Sequence, residues 1–250
     1  MKLVDFFAPK NAERAGSNRD VSLLSDPPSS QAARHEMVER QLRKRDIRSP
    51  RVLEVMASVP RHLFIRPEYA ADAYADSPLP IGAGQTISQP YMVAAMADAL
   101  EFTGSEKVLE VGAGSGYQAA VLSLLAREVI GIESQSLLAV AARERLARLG
   151  YTNIRIETGD GSQGWSGDAP YDAIVVTAGA PSIPQPLINQ LAEGGRLVLP
   201  VGPAAQQELV RVVKREGTTT QENLFACRFV PLLGKFGWPS ITGAAEPSQE

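Results

Sequence analysis

Three glycines at alternate positions, Gly112, Gly114 and Gly116, stand directly behind an apolar run, Val108-Leu109-Glu110-Val111. A backbone free of Cβ atoms turns tightly there and passes close to a ligand. The helical pattern that follows, 115–127, opens at Ser115, and the unpaired N–H groups of a helix start favour polar or anionic groups. Two acids recur at comparable places. Glu133 closes the second apolar run, about 20 residues beyond the glycines, where a carboxylate can accept two hydrogen bonds from a ribose diol. Asp160, in Gly159-Asp160-Gly161, follows the third run. It suits either an adenine amino group or the ordering of the loop that meets one. Together the set predicts an adenosine-containing cofactor.

Two such cofactors fit, a nicotinamide dinucleotide and S-adenosyl-L-methionine. The dinucleotide fingerprint is G-x-G-x-x-G, with its third glycine inside the helix. Here the spacing is G-x-G-x-G, followed by Tyr117 and Gln118. A Gly-Asp-Gly after the third run is also unnecessary for a pyrophosphate site. Both points favour S-adenosyl-L-methionine. The plainer alternative, a tight turn with Glu133 capping a helix, explains the glycines but not the three features together. No residues resemble a catalytic triad or a metal-ligand cluster, so no metal is expected.

These residues need a frame. From 107 onward, strand and helix patterns alternate, which predicts a mostly parallel sheet with helices on both faces. Strands are expected at 107–111, 128–133, 153–158, 171–177 and 195–201, with helices at 136–149 and 184–191. Two further strands, 208–214 and 225–230, have no helix between them and read as an antiparallel hairpin at the sheet edge. That makes seven strands. The fold class is therefore α/β, doubly wound, with an added N-terminal helical segment. Helices are expected at 31–46, with Met37, Val38, Gln41 and Leu42 on one side, and from Ser49-Pro50, where serine caps and proline takes the first position. Pro60 stops the second, and Arg61-His62-Leu63-Phe64 reads as loop. The stretch 78–90 reads as a long irregular loop, a kind that is often functional. Residues 1–30 read as a disordered extension, since their polar run buries little to offset ordering entropy. The domain then spans 31–238, divided into 31–104 (helices and loop) and 105–238 (cofactor-binding sheet), with 239–250 as a flexible tail.

The totals narrow the class. With 44% hydrophobic and 21% charged residues the chain can bury a sizeable core. A net charge of −3 gives no general reason to bind nucleic acid. No apolar run is long enough for a membrane span. The single cysteine, Cys227, cannot form an internal disulfide and reads as a core strand residue. A soluble, cytoplasmic monomer is expected.

The stretch Leu79-Pro80-Ile81-Gly82-Ala83-Gly84-Gln85-Thr86-Ile87-Ser88-Gln89-Pro90-Tyr91-Met92 resembles the signature loop of protein-L-isoaspartate O-methyltransferases. The run 108–118, Gly159-Asp160-Gly161, Gly195-Arg196-Leu197-Val198-Leu199-Pro200-Val201-Gly202 and Arg228-Phe229-Val230-Pro231-Leu232 are similar to other parts of that family. The glycine turn alone names only the broad methyltransferase class; the loop ending at Pro90 is far more specific. The resemblance covers about residues 33–238 and leaves the two ends without counterpart in the shortest members. It implies a Rossmann-like methyltransferase sheet with an altered order of its last strands. It also implies methyl transfer from S-adenosyl-L-methionine, leaving S-adenosyl-L-homocysteine, to the free α-carboxylate of L-isoaspartyl residues in damaged proteins and peptides. The ester then returns through succinimide partly to aspartate.

The resemblance marks Ser88 as catalytic. It places Gly112, Gly114, Ser115, Gly116, Glu133, Asp160 and Gly161 at the cofactor, and Gln85, Thr86, Ile87, Ser88, Val230, Pro231 and Leu232 at the acceptor. A carboxylate is already ionised at neutral pH, so orientation is required rather than a general base. The Ser88 hydroxyl can hold one acceptor oxygen toward the methyl group, or it can satisfy N–H groups at the helix start. Val230, Pro231 and Leu232 can form a groove wall, or an edge strand ended by proline. His35 and His62 lie outside these motifs and read as exposed or packing residues. A methyltransferase for another acceptor, or a cofactor-fold binding protein without activity, are the competing functions.

Overall fold

The computed structural model describes residues 26–239. The expected extension at 1–25 and tail at 240–250 lie outside the described residues. Six α-helices are described: α1 (Pro28–Met37), α2 (Pro50–Ser58), α3 (Pro90–Ala99), α4 (Tyr117–Leu125), α5 (Ser136–Arg148) and α6 (Gln185–Gln190). The strands are β1 (Leu79–Gly82), β2 (Gln85–Ile87), β3 (Lys107–Val111), β4 (Glu128–Glu133), β5 (Ile154–Thr158), β6 (Tyr171–Val176), β7 (Leu191–Val201), β8 (Gln207–Arg215) and β9 (Thr218–Cys227).

The main sheet has the order β5-β4-β3-β6-β7-β8-β9. Its first five strands are parallel, while β7–β8 and β8–β9 pair antiparallel. The last three strands therefore follow in chain order to the edge. The chain reverses direction across the sheet between β3 and β6, and ligands bind at such a switch point in open α/β sheets.

β3 is buried on both faces because its side chains alternate. Val108 packs with α2, α3 and α4, while Leu109 and Val111 point the other way, toward Leu187 of α6. Truncating Leu109 to alanine costs about 2–5 kcal/mol. Ser49 caps α2, accepting from the Val52 N–H at 3.3 Å, with Pro50 next. α1 opens at Pro28, inside the stretch expected to be extension, and runs on through a π-helical turn, Val38–Arg43. Asp26 clamps it there by accepting from both Arg34 terminal nitrogens at 3.0 and 2.8 Å.

Three expectations are corrected. Residues 79–87 are an antiparallel hairpin, β1–β2, rather than an irregular loop; its tight turn places Ala83 and two glycines at positive φ. β9 ends at Cys227 rather than at Val230, so 228–232 leaves the hairpin and crosses back over the sheet. Arg61-His62-Leu63-Phe64 forms a 3-10 turn that buries Arg61, whose Nε donates to the Ala73 carbonyl at 2.8 Å. His35 is exposed, and His62 Nδ1 lies 2.7 Å from the Tyr74 hydroxyl. Among the described residues no helix is long and apolar enough to cross a membrane.

Candidate active site

Two cavities meet over the C-terminal ends of the parallel strands. The inner one is floored by the turn after β3 and flanked by the ends of β4 and β6. Gly112, Gly114, Ser115, Glu133 and Gly161 all line it. The outer one is a groove between α3 and the end of β9, lined by Tyr91, Met92, Phe225 and Cys227. Thr86, Ser88, Thr177, Val230 and Pro231 line both.

The glycine turn is held from three sides. The Gly114 N–H donates to Glu133 Oε2 at 2.8 Å, and Glu133 Oε1 accepts from the Gln135 N–H at 2.9 Å. Glu133 thus joins the turn to the start of α5. A Cβ on Gly114 would lie 3.1 Å from Ile81 Cδ1, so the β1–β2 hairpin rests on the turn. At Gly112 a Cβ would lie 2.4 Å from the Thr177 hydroxyl, which only glycine tolerates. Gly116 lies behind the cavity as the N-cap of α4, where a Cβ would meet Leu146 at 3.1 Å.

Asp160 also stands outside the lining, with its carboxylate turned toward protein donors at Ser162, Gln163 and Lys235. Burial works against its charge, but hydrogen bonds from the Lys235 N–H and from Ser162 hold its pKa below the usual carboxylate range.

Ser88 sits between β2 and α3. α3 begins with Gln89 at its N-cap and no side-chain cap. Ser88 borders both cavities. Gln85 and Ile87 line the inner cavity beside it, with Ile87 buried. Opposite lies the crossing segment: the Gly179 N–H donates to the Val230 carbonyl, and the Leu232 N–H to the Gly179 carbonyl, both at 2.8 Å. Leu232 lines only the inner cavity.

Among the lining residues that escaped the sequence reading, Thr177, Glu110 and Gln118 carry polar groups that bear on the site. Thr177 follows β6 and directs its hydroxyl at the Gly112 carbonyl, 2.6 Å away. Glu110 is fully buried in β3, and neither of its carboxylate oxygens has a hydrogen-bond partner among the described residues. Burial, and then the nearby Glu133 charge, push its pKa well above the ordinary value. Gln118 in α4 is 6% exposed with both amide atoms unpartnered. The signal was present in two of them: an acid inside a strand buried on both faces, and an amide in an apolar helix. Buried polar groups are almost always satisfied, so these orphans fit a ligand that brings a cation and hydrogen-bonding groups.

In the groove, Arg45 stacks 3.4 Å above the Tyr91 ring and pairs with Asp76 at 2.9 Å. Burial, and then the hydrogen bond to Asp46, push the Tyr91 phenol up to about 12. Cys227 is half-buried at this groove rather than in the core, and burial followed by the Glu208 charge pushes its thiol up to about 11. Among the described residues no His, Cys, Asp and Glu group could hold a metal ion.

Comparison with known proteins matches residues 32–237 to the family described as protein-L-isoaspartate(D-aspartate) O-methyltransferase. The chain is 54% identical over 207 residues to protein-L-isoaspartate O-methyltransferase 2 of Geotalea uraniireducens, covering 82% of this chain and 95% of that one. It is 56% identical over 205 residues to the protein-L-isoaspartate O-methyltransferase of Methanoculleus marisnigri, covering 82% and 93%. Among solved structures it resembles a protein-L-isoaspartate O-methyltransferase with a TM-score of 0.74 at 28% identity, covering 81% of this chain and 67% of that one. A putative enzyme of that kind from Plasmodium falciparum, in complex with S-adenosyl-L-homocysteine, gives 0.69 at 28% identity and covers 80% and 98%.

Proposed function

The chain belongs to the protein-L-isoaspartate(D-aspartate) O-methyltransferase family, and we propose how its residues transfer a methyl group from S-adenosyl-L-methionine to the free α-carboxylate of an L-isoaspartyl residue. One observation carries the reading: Thr86, Ser88, Val230 and Pro231 line both the inner cavity over the glycine turn and the groove that adjoins it.

When bound, S-adenosyl-L-methionine supplies a methyl group activated by its sulfonium charge. Glu110 and Gln118 would hold its amino-acid end, because their buried atoms lack partners. Glu133 would take the ribose, with Gly112, Gly114, Ser115 and Gly161 as backbone walls. Ser88 donates to one oxygen of the acceptor carboxylate and turns the other toward the methyl site. Thr86, Gln85 and Ile87 wall that pocket, and Val230, Pro231 and Leu232 face them. Fixing the reactants in line supplies rate without a general base. The groove receives the flanking peptide, and a branch through the side-chain carboxyl distinguishes isoaspartate from aspartate there.

Residues 28–238, beginning with α1, act as one methyltransferase domain. The protein works as a cytoplasmic monomer on damaged proteins and peptides, without nucleic acid or membrane. The net charge of −3 and the single cysteine support this setting. The test is direct: with labelled S-adenosyl-L-methionine, the protein methylates an isoaspartyl peptide and leaves its aspartyl twin unlabelled. Equal labelling of both, or of neither, overturns the reading.

A further inference from the structure

We propose that Asp76 is a positioning residue for the acceptor site, which closes the segment 76–91 at its base and thereby sets Ser88 between the two cavities. This rests on the reading of Ser88 as the group that orients the acceptor carboxylate.

α3 starts just beyond Ser88 and has no side-chain cap from its own N-cap residue. The first N–H groups of a helix find no partner within it. Asp76 Oδ1 accepts from the Tyr91 N–H at 3.1 Å, the first N–H that α3 presents after Pro90. It fills the place of an N-cap side chain, and its negative charge suits the positive end of the helix dipole. The other oxygen, Oδ2, accepts from Arg45 Nη1 at 2.9 Å. Arg45 in turn lies 3.4 Å above the Tyr91 ring, and the Tyr91 hydroxyl donates to Asp46 Oδ2 at 3.1 Å. Tyr91, which lines the groove, is thus held at its backbone, its ring face and its phenol.

The same carboxylate brackets the hairpin. Asp76 stands just ahead of Leu79, which pairs with Ile87, and Ile87 precedes Ser88. Ser88 is therefore fixed from both sides, by β2 before it and by the tied start of α3 after it. Asp76 can hold the two because its own loop is anchored. The Ala73 carbonyl accepts from the buried Arg61 at 2.8 Å, and the Tyr74 carbonyl from the Gln41 side-chain amide at 3.0 Å. Asp76 itself lines neither cavity. Its reach to the acceptor runs through Ser88 and Tyr91.

Asp76→Ala removes both ties. The expected result is a kcat for the isoaspartyl peptide lowered roughly tenfold, the loss of charged hydrogen bonds, with a raised peptide KM as Arg45 and Tyr91 loosen. S-adenosyl-L-homocysteine affinity, read by calorimetry, keeps its wild-type value. A double-mutant cycle with Ser88→Ala separates positioning from general damage, because residues that act as a unit are not additive. In the Ser88→Ala background, Asp76→Ala lowers kcat by no more than about twofold. Losses that multiply independently, a wild-type kcat in Asp76→Ala, or cofactor-product affinity that falls in step with kcat each overturn the proposal. Asp76→Asn keeps the shape and one oxygen for the Tyr91 N–H but sets an amide against Arg45. It raises the peptide KM with a smaller fall in kcat. It stands in where Asp76→Ala fails to fold, and a wild-type KM there overturns the proposal as well. Ser88→Ala alone with a wild-type kcat is a separate failure: it sinks the reading of Ser88 and this proposal with it, whereas independent losses in the cycle sink the proposal alone.

Discussion

Thr177 points its hydroxyl at the carbonyl of Gly112, 2.6 Å away, in the space where any side chain at 112 would begin. The first glycine of the turn is thus required by a protein neighbour from the adjacent strand. Gly112→Ala combines a collision with a positive φ of 93° and is expected to destabilise the fold by about 1–3 kcal/mol. Urea denaturation measures this. The double variant with Thr177→Ala recovers the share due to the collision.

Ser88→Ala removes the hydroxyl that borders both cavities. It is expected to lower kcat/KM for an isoaspartyl peptide on the order of 10²-fold, a typical loss for one orienting donor. S-adenosyl-L-homocysteine binding, followed by calorimetry, stays at the wild-type value. A loss of cofactor affinity in proportion to activity refutes the orienting role.

Glu133→Ala acts in the opposite sense. It strips the Gly114 and Gln135 N–H groups of their acceptor. Cofactor affinity is expected to fall roughly 10–100-fold, about 1.5–3 kcal/mol, while kcat at saturating cofactor changes little.

Glu110 makes stability depend on pH. Its folded-state pKa is raised above the ordinary 4.5, so the folded state binds the proton more tightly than the unfolded chain. The stabilisation is complete below the unfolded value and is lost as pH rises from there through the folded pKa. Glu110→Gln, which carries no such proton, is expected to gain stability relative to wild type steadily as pH rises across that window. Thermal melts of both proteins at a series of pH values read it directly.

Cys227, with its thiol raised to about 11, holds little thiolate at pH 8. Iodoacetamide is expected to modify the folded protein about 10²-fold more slowly than the unfolded chain at that pH. Glu208→Gln, which removes the second cause of the shift, increases the rate.

The parallel strands were legible because alternating apolar runs and short punctuation leave few other ways to bury both faces. The hairpin 79–87 was not, because its pairing depends on positive φ at Ala83 and on a seat against Gly114. Neither leaves a periodic mark. The boundary of β9 was misplaced for a related reason. Val230 and Pro231 carry a strand-like composition, but their partner is Gly179, distant in sequence.

By itself the sequence determined the α/β frame, the glycine turn and the acid at the end of β4, since these are set by local patterns and spacing. The motif around Ser88 identified the family. Only the tertiary structure decided what each residue faces. It set Ser88 between two cavities, left Glu110 and Gln118 as unsatisfied groups lining the inner cavity, and turned Asp160 toward Lys235. Those outcomes rest on contacts between segments far apart in the chain, and burial and hydrogen-bond saturation are properties of the assembled neighbourhood rather than of any one segment.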